Sequence, residues 1–269
     1  MLKKLVSIFG LVFILSACQG YFQTQEVRAP VKLSQQEILT RLAPKGVLKV
    51  GLYEGSPTSF LRGKTEKDHR GLGYELGAQL AKELGVSYEP VIYSKNADVF
   101  EGMKKGEVQV LFTNATPDRA QQFEFTNYFL RVEQSYLIRP GSSIKGISEI
   151  DQPGIKIGVS IGSTSQKFLS KTLKQAKILP IKSLAEAEVQ LRQGEIDAFA
   201  TNKSILFELS DKLPNSKVLE GAWGYEQFSA GVVKDNKDTI DYLNAFVKKQ
   251  IESGFVASLI KRSGIRGAI

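Results

Sequence analysis

The sequence predicts an α/β fold with two lobes, each a mainly parallel sheet flanked by helices. Strand-like and helix-like segments alternate from residue 47, and the order strand–helix–strand–helix–strand occurs twice, which is typical of parallel sheets with right-handed crossovers. The segment GEVQVLFTN at residues 106–114 is also echoed by GEIDAFATN at 194–202. We therefore expect two similar lobes whose polar strand ends face each other across a ligand-binding cleft. Chance similarity between two ordinary buried strands is the alternative.

The first half of the chain shows the strand and helix periods most clearly. Strands are expected at residues 48–52, 88–93 and 108–113, and helices at 73–85 and 97–105. Leucines at positions 72, 76, 80 and 84 recur with helical spacing, and Gly85 follows as a helix end. The first helix is therefore expected to bury one apolar face.

The second half repeats this order. Strands are expected at residues 156–160, 178–181 and 196–201, and helices at 165–176 and 184–193. Two apolar, β-rich segments lie at the junctions between the halves, at 128–138 and 225–233, and we expect them to be strands that cross between the lobes. A last amphipathic helix at 238–254 is expected to pack on the first lobe.

The N-terminus has the features of an export signal. A basic start is followed by an apolar run at residues 5–14, which is too short to span a bilayer but fits a secretory signal. Residues 15–18 read LSAC and resemble the lipobox of bacterial lipoproteins. That resemblance implies that Cys18, the single cysteine, is acylated and becomes the first mature residue. A buried thiol is the alternative.

These features predict five segments. They are a lipoprotein signal peptide at 1–17, a tether at 18–45, the first part of lobe 1 at 46–134, lobe 2 at 135–228 and a return segment of lobe 1 at 229–269. The tether is polar, and we expect it to contain one short helix from Ser34 to Leu42. It would hold a lipid-anchored domain away from the membrane.

The positive charge is spread along the chain. The formal net charge is +8. Cleavage of the predicted signal peptide would remove two lysines and no acidic residue, so the net charge of the mature chain would be 8 − 2 = +6. Basic residues form isolated pairs, such as Lys104-Lys105, and no dense arm. This favours a solvated surface over a nucleic-acid-binding surface, so we expect no nucleic-acid partner. As separate expectations, the protein binds no metal and no cofactor.

Four motifs resemble a known family. They are GLGYELGAQLAKELG at 71–85, TPDRA at 116–120, FEFT at 123–126 and IGST at 161–164. Together they are similar to the bacterial extracellular solute-binding proteins of the amino-acid-binding type (family 3, type 2 periplasmic binding fold), over residues 47–255. The resemblance implies a periplasmic-binding-protein-like clamshell with two crossing strands, and a binding protein in place of an enzyme.

Arg119 is the first candidate ligand contact. It follows a Thr-Pro turn after the third strand, and its planar guanidinium suits a carboxylate. The resemblance implies that it holds the carboxylate of the ligand. The alternative is a surface arginine paired with Asp118 or Glu124.

Ser163 and Thr164 form the second candidate. They lie between a strand and a helix, where free backbone N–H groups and hydroxyls can bind an anion. The alternative is a helix cap without ligand.

Strand ends supply further candidates. Thr113, Asn114 and Thr116 end the third strand, and Thr201 and Asn202 end its counterpart. Amino-acid binders of this family commonly carry an aspartate at the position of Asn202. An ammonium against a neutral amide loses the charge-assisted part of its hydrogen bond. A carboxylate or other anion without an amine therefore competes with an amino acid as the ligand.

Two further candidates, Ser56 and Phe60, lie on the loop after the first strand, where the family places an aromatic wall. Core packing is the alternative for both. The single histidine, His69, lies in a charged loop and is expected to be solvated.

Together with the export signal, the resemblance implies a lipid-anchored, monomeric solute-binding protein of an ABC-type importer, exported to the cell envelope or periplasm. Its expected partners are a small ligand with a carboxylate or similar anion, the membrane through Cys18, and an ABC permease. The alternatives are a dehydratase-like enzyme on the same fold and a ligand-sensing receptor subunit without transport. We expect no fused catalytic domain after the last helix.

Overall fold

The structure is a computed structural model that describes residues 34–234 and 237–269. The predicted signal peptide, Cys18 and the tether up to residue 33 lie outside these residues. Within the described part, no helix is long and apolar enough to cross a bilayer.

Ten strands make one continuous sheet in the described part of the chain. They are β1 (Val47–Tyr53), β2 (Ser87–Tyr93), β3 (Val110–Asn114), β4 (Phe123–Phe125), β5 (Leu130–Ile138), β6 (Lys156–Ser160), β7 (Lys177–Ile181), β8 (Ala198–Asn202), β9 (Lys217–Val218) and β10 (Gly224–Val233).

Helices cover the sheet. They are α1 (Gln35–Leu42), α2 (Leu72–Leu84), α3 (Asn96–Lys104), α4 (Thr164–Thr172), α5 (Leu184–Gln193), α6 (Lys203–Ser210), α7 (Lys237–Glu252) and α8 (Phe255–Arg262).

The strand order joins two parallel halves through two antiparallel strands. The order is β2-β1-β3-β10-β5-β8-β6-β7, with β4 also on β10 and β9 also on β5. Strand β1 is parallel to β2 and β3, and β6 is parallel to β7 and β8. Between these halves β5 and β10 pair with each other in antiparallel register. The predicted α/β fold with two crossing strands is confirmed.

We refer to the half that contains β1–β3 as lobe 1 and to the half that contains β6–β8 as lobe 2. The predicted lobe boundaries, near residues 134 and 228, fall within β5 and β10. Their exact positions stay predictions.

Helix α2 shows why the leucine spacing in the sequence predicts a helix with one buried face in lobe 1. Its leucines Leu72, Leu76, Leu80 and Leu84 are all buried, and burying each such side chain stabilises the fold by roughly 1.5–3 kcal/mol. Gly85 ends the helix in the left-handed conformation, at φ 69°, which glycine adopts without steric cost.

The two ends of the described chain pack on the same core. Leu243 and Leu259, from α7 and α8, lie in one buried cluster with lobe 1 residues, so the C-terminal helix packs as predicted. Ile38 and Leu42 of α1 lie in that cluster too. Residues 34–42, which are part of the predicted tether, therefore belong to the folded body.

One helix ends earlier than predicted. The sequence predicts a helix to residue 176, but α4 ends at Thr172. The carboxylate of Asp151, from a distant loop, accepts hydrogen bonds from the backbone N–H groups of Lys174, Gln175 and Ala176 at 2.7–3.0 Å. These amides are satisfied outside a helix, and Asp151 is too far along the chain for a local pattern to reveal it.

Candidate ligand-binding site

A cavity lies between the lobes at the carboxyl ends of β1, β3, β6 and β8. Its polar lining residues are Tyr53, Ser56, Ser59, Asn96, Thr113, Asn114, Arg119, Ser160, Ser163, Thr201, Asn202 and Glu226. The cavity volume is about 60 Å³, well below the roughly 150 Å³ that holds a benzene molecule. An amino acid therefore requires the lobes to move apart before it can enter.

Arg119 faces this cavity from lobe 1. Its Nη1 donates to the backbone oxygen of Asn114 at 2.7 Å, and its Cζ lies 4.1 Å from the ring centroid of Phe100, within the range of a cation–π interaction. Burial lowers the pKa of Arg119 to about 10, so the side chain is charged at neutral pH. Its neighbour Asp118 forms an ion pair with Lys167 of lobe 2 instead.

The start of α4 faces the cavity from lobe 2. Ser163 is its N-cap residue, and its Oγ accepts a hydrogen bond from the backbone N–H of Gln166 at 3.0 Å. Thr164 is not among the lining residues, but its Oγ1 accepts from Asn114 Nδ2 of lobe 1 at 3.4 Å. The capping interpretation therefore holds, and Ser163 also lines the cavity.

Glu226 is the site residue that the sequence analysis missed. It lies on the crossing strand β10 and is 8% exposed. Its Oε2 accepts from Asn202 Nδ2 at 2.8 Å, and its Oε1 accepts from Thr164 Oγ1 at 3.3 Å and from Gln134 Nε2 at 3.4 Å. Burial raises its pKa, against the lowering effect of these hydrogen bonds and of the Arg119 charge.

A signal for Glu226 was present in the sequence. It is the single charged residue of the apolar segment 225–233, and a buried carboxylate in a strand requires partners. The strand period of that segment does not reveal this exception.

Asn202 uses both ends of its amide inside the protein. Its Oδ1 accepts from the backbone N–H of Ile205 at 3.2 Å and caps α6, while its Nδ2 donates to Glu226. Asn202 lines the cavity, but its hydrogen bonds hold Glu226 and the helix. Asn114 is also occupied, because its Oδ1 accepts from the backbone N–H of Gln227 at 2.9 Å.

The remaining predicted residues divide into two groups. Ser56 and Thr113 line the cavity, whereas Phe60 and Thr116 are not among its described lining residues. Phe60 is 1% exposed in the core of lobe 1, 5.1 Å from the ring of His69. Thr116 Oγ1 accepts from the backbone N–H of Arg119 at 3.3 Å and so shapes the turn that presents it.

The aromatic residues of the cavity lining are Phe112, Phe228 and Tyr53. Tyr53 connects the two lobes. Its hydroxyl lies 3.3 Å from Ser160 Oγ of lobe 2, and burial raises its pKa to about 12. The lobes also meet at Gly162, where an added Cβ would lie 2.9 Å from the Cβ of Ala97. These contacts define a closed arrangement of the lobes.

The described residues contain no group of three or more His, Cys, Asp or Glu side chains placed to hold a metal ion. The lining instead combines hydroxyls, amides, one guanidinium and one carboxylate. Such a lining is suited to binding a small polar molecule by hydrogen bonds and charge.

Two lobes joined by crossing strands around a polar cavity define the periplasmic binding protein class of fold. Residues 48–264 match the model of the bacterial extracellular solute-binding proteins, family 3, and the chain belongs to this family.

Individual proteins resemble the chain over most of its length. The ABC transporter glutamine-binding protein GlnH of Bacillus subtilis (strain 168) is 22% identical over 262 residues, which cover 96% of this chain and 94% of the relative. A crystal structure of a mutant of ArgBP from T. maritima has a TM-score of 0.75 at 21% identity, covering 86% of this chain and 98% of the other. The ancestral amino acid-binding protein AncCDT-1, a precursor of cyclohexadienyl dehydratase, has a TM-score of 0.73 at 22% identity, covering 85% and 98%.

Proposed function

We propose that the protein is the solute-binding component of an ABC-type importer and that it binds a small ligand with a carboxylate, an amino acid or a related compound, between its lobes. The observation that carries this proposal is the placement of Arg119 on the lobe 1 side of a cavity whose lobe 2 side contains the N-terminus of α4. A guanidinium and free N–H groups of a helix start both favour a carboxylate.

Closure of the lobes is the proposed binding mechanism. Contacts from both lobes to one ligand favour the closed arrangement over the open one, because the ligand has its full set of partners only when the lobes meet. The small volume of the present cavity supports this, since a ligand of amino-acid size requires opening first. The glutamine-binding ABC transporter protein that resembles this chain supports an importer role.

The test is a thermal unfolding screen of the mature protein. The panel consists of the proteinogenic L-amino acids, dicarboxylates and other small anions. At least one carboxylate is expected to raise the unfolding temperature, because a ligand that binds only the folded state stabilises it. Failure of every compound to do so would contradict the proposal.

The same screen applies to Arg119→Ala. Losing one partner of a buried charge pair typically costs about 2–5 kcal/mol of binding free energy, so titration calorimetry should show an affinity loss of about thirtyfold or more. Arg192→Ala, which removes an exposed arginine paired with Glu188, is the matched control and should bind like the wild type.

Export, lipid attachment at Cys18 and delivery to a permease complete the proposal. Metabolic labelling with a fatty acid should mark the wild type and leave Cys18→Ser unlabelled. Label on both proteins would overturn the anchor.

An enzyme on the same fold is the second candidate, and Glu226 is the observation that favours it. A buried carboxylate with a raised pKa beside a carboxylate-binding site can act as a general acid or base. Mass spectrometry of carboxylic acids incubated with the protein would distinguish the two functions, because a binding protein returns its ligand unchanged.

A further inference from the structure

The cavity carries one charge of each sign. Arg119 and Glu226 are its two charged lining residues within the described chain, and they attract each other. The nitrogens of Arg119 and the carboxylate oxygens of Glu226 are more than 4.0 Å apart, because Arg119 is held by the Asn114 backbone oxygen and the Phe100 ring instead. The cavity therefore presents a positive end and a negative end to a ligand.

The hydrogen bonds of Glu226 leave part of the carboxylate unused. A carboxylate accepts about four hydrogen bonds, and Asn202, Thr164 and Gln134 supply three. All three donors are neutral, so they leave the negative charge uncompensated at contact distance. A buried charge in this position is costly unless a cation approaches it, and the cavity is the space from which a cation can approach.

The amide at position 202 fits a carboxylate at position 226. An aspartate would also cap α6, because its oxygen could accept from Ile205 as Asn202 Oδ1 does. Capping therefore does not explain why residue 202 is an asparagine. The hydrogen bond to Glu226 explains it, because Asn202 Nδ2 lies 2.8 Å from Glu226 Oε2. An aspartate would replace this donor with a second negative charge.

We propose that Glu226 binds the ammonium group of the ligand, with Asn202 as its positioning residue, so that the ligand carries an amine as well as a carboxylate. This inference rests on the proposed function and narrows it. The negative partner of the amine lies on the crossing strand β10 and not at the end of β8. The competing ligand class, an anion without an amine, is disfavoured because it would leave the charge of Glu226 unmatched.

The test compares each proteinogenic L-amino acid with its 2-desamino counterpart, for example L-glutamine with 4-carbamoylbutanoate. In the wild type, the amino acid that binds best should bind at least about tenfold more tightly than its desamino counterpart, as expected for a charge-assisted hydrogen bond. In Glu226→Gln this ratio should fall to about two or less. Glu220→Gln, at an exposed position, is the matched control and should keep the wild-type ratio.

A rescue variant separates a binding role from a merely structural one. The double variant Asn202→Asp with Glu226→Gln restores one carboxylate beside one amide, with their positions exchanged. It should recover most of the preference for the amine. If the double variant keeps a low ratio of amino-acid to desamino affinity while its unfolding temperature matches that of the wild type, this would count against the proposal that the carboxylate charge binds the amine.

The outcomes distinguish this inference from the proposed function. If neither amino acids nor desamino acids bind the wild type, the proposed function fails. If both bind equally, or if Glu226→Gln keeps the wild-type ratio, only the assignment of Glu226 is overturned.

The pH dependence of the wild-type ratio tests the assignment even if Glu226→Gln does not fold. Glu226 contacts Thr164, Asn202 and Gln134, none of which titrates. The other titratable lining residues, Arg119 and Tyr53, have pKa values of about 10 and about 12. A preference for the amine that weakens as the solution is acidified below neutral pH supports Glu226, and a ratio independent of acidification contradicts it.

Discussion

The ends of β3 and β8 carry the same two residues, Thr-Asn, and use them differently. At the end of β3, the backbone oxygen of Asn114 holds the guanidinium of Arg119. At the end of β8, the side chain of Asn202 caps α6 and holds the carboxylate of Glu226. One strand end thus positions a cation and the other an anion. The difference lies in the next segment of the chain, which is a Thr-Pro turn in lobe 1 and a helix in lobe 2.

Among the variants considered, Asn202→Asp is expected to have the largest effect on this arrangement of one cation and one anion at the two strand ends. It places two carboxylates at hydrogen-bond distance, which should destabilise the folded protein by about 1–3 kcal/mol at neutral pH. Repulsion raises the pKa of the pair in the folded state, so the stability should recover as acid supplies a shared proton. Urea unfolding at neutral pH and near pH 5 measures both effects.

Asn215→Asp is the control, because Asn215 is exposed with φ 66° and aspartate tolerates that conformation. It should change stability little at either pH. An equal loss for both variants would show that Asn202 is not special.

The titration of Glu226 should appear in the stability of the unliganded wild type. Burial raises its pKa above the ordinary value of 4.5, so between the two values the folded state holds a proton that the unfolded state has released. The contribution of the Glu226 proton to the free energy of unfolding is therefore fully present below the pKa of the unfolded state. It is lost as the pH rises through the pKa of the folded state. Glu226→Gln should lack this decline, and urea unfolding of both proteins from mildly acidic to neutral pH would show it. Parallel stability curves would contradict the assignment.

Gly162→Ala tests the contact between the lobes. Of the variants considered, it is expected to have the smallest effect. Gly162 has φ 72°, and an added Cβ would meet Ala97 at 2.9 Å. Gly141 has a similar φ of 74° but open space around it, so Gly141→Ala measures the backbone cost alone, about 1 kcal/mol.

Only Gly162→Ala should also weaken ligand binding, by a few fold, because it opposes closure. Calorimetric titration with the amino acid that gives the largest thermal shift measures this. Equal affinities for the two variants would show that this contact does not limit closure.

The sequence predicted the parts of the fold that local periodicity determines. Helix α5 and strand β6 match their predicted bounds, and the leucine spacing of α2 identified its buried face. Helices α6 and α8 were missed. Each has eight residues, and helices of this length gain their stability from tertiary packing more than from local sequence.

Local motifs in the sequence likewise predicted only part of the candidate site. Arg119 and Ser163 follow strand ends, and motifs at strand ends are visible in a single sequence. Glu226 reaches the cavity only because β10 pairs with both β3 and β5, and long-range pairing of this kind has no local pattern. The resemblance implied that Phe60 forms an aromatic wall, with core packing as the alternative. Its 1% exposure and its contacts with His69 and Tyr74 favour the core.

A crystal structure of the wild type with its best-binding amino acid tests the central claim most directly. The account predicts a carboxylate oxygen of the ligand within about 3 Å of the Arg119 guanidinium, and the ligand nitrogen within about 3 Å of a Glu226 oxygen. An amino acid whose charged groups contact neither residue, or one bound outside the cavity between the lobes, would contradict it.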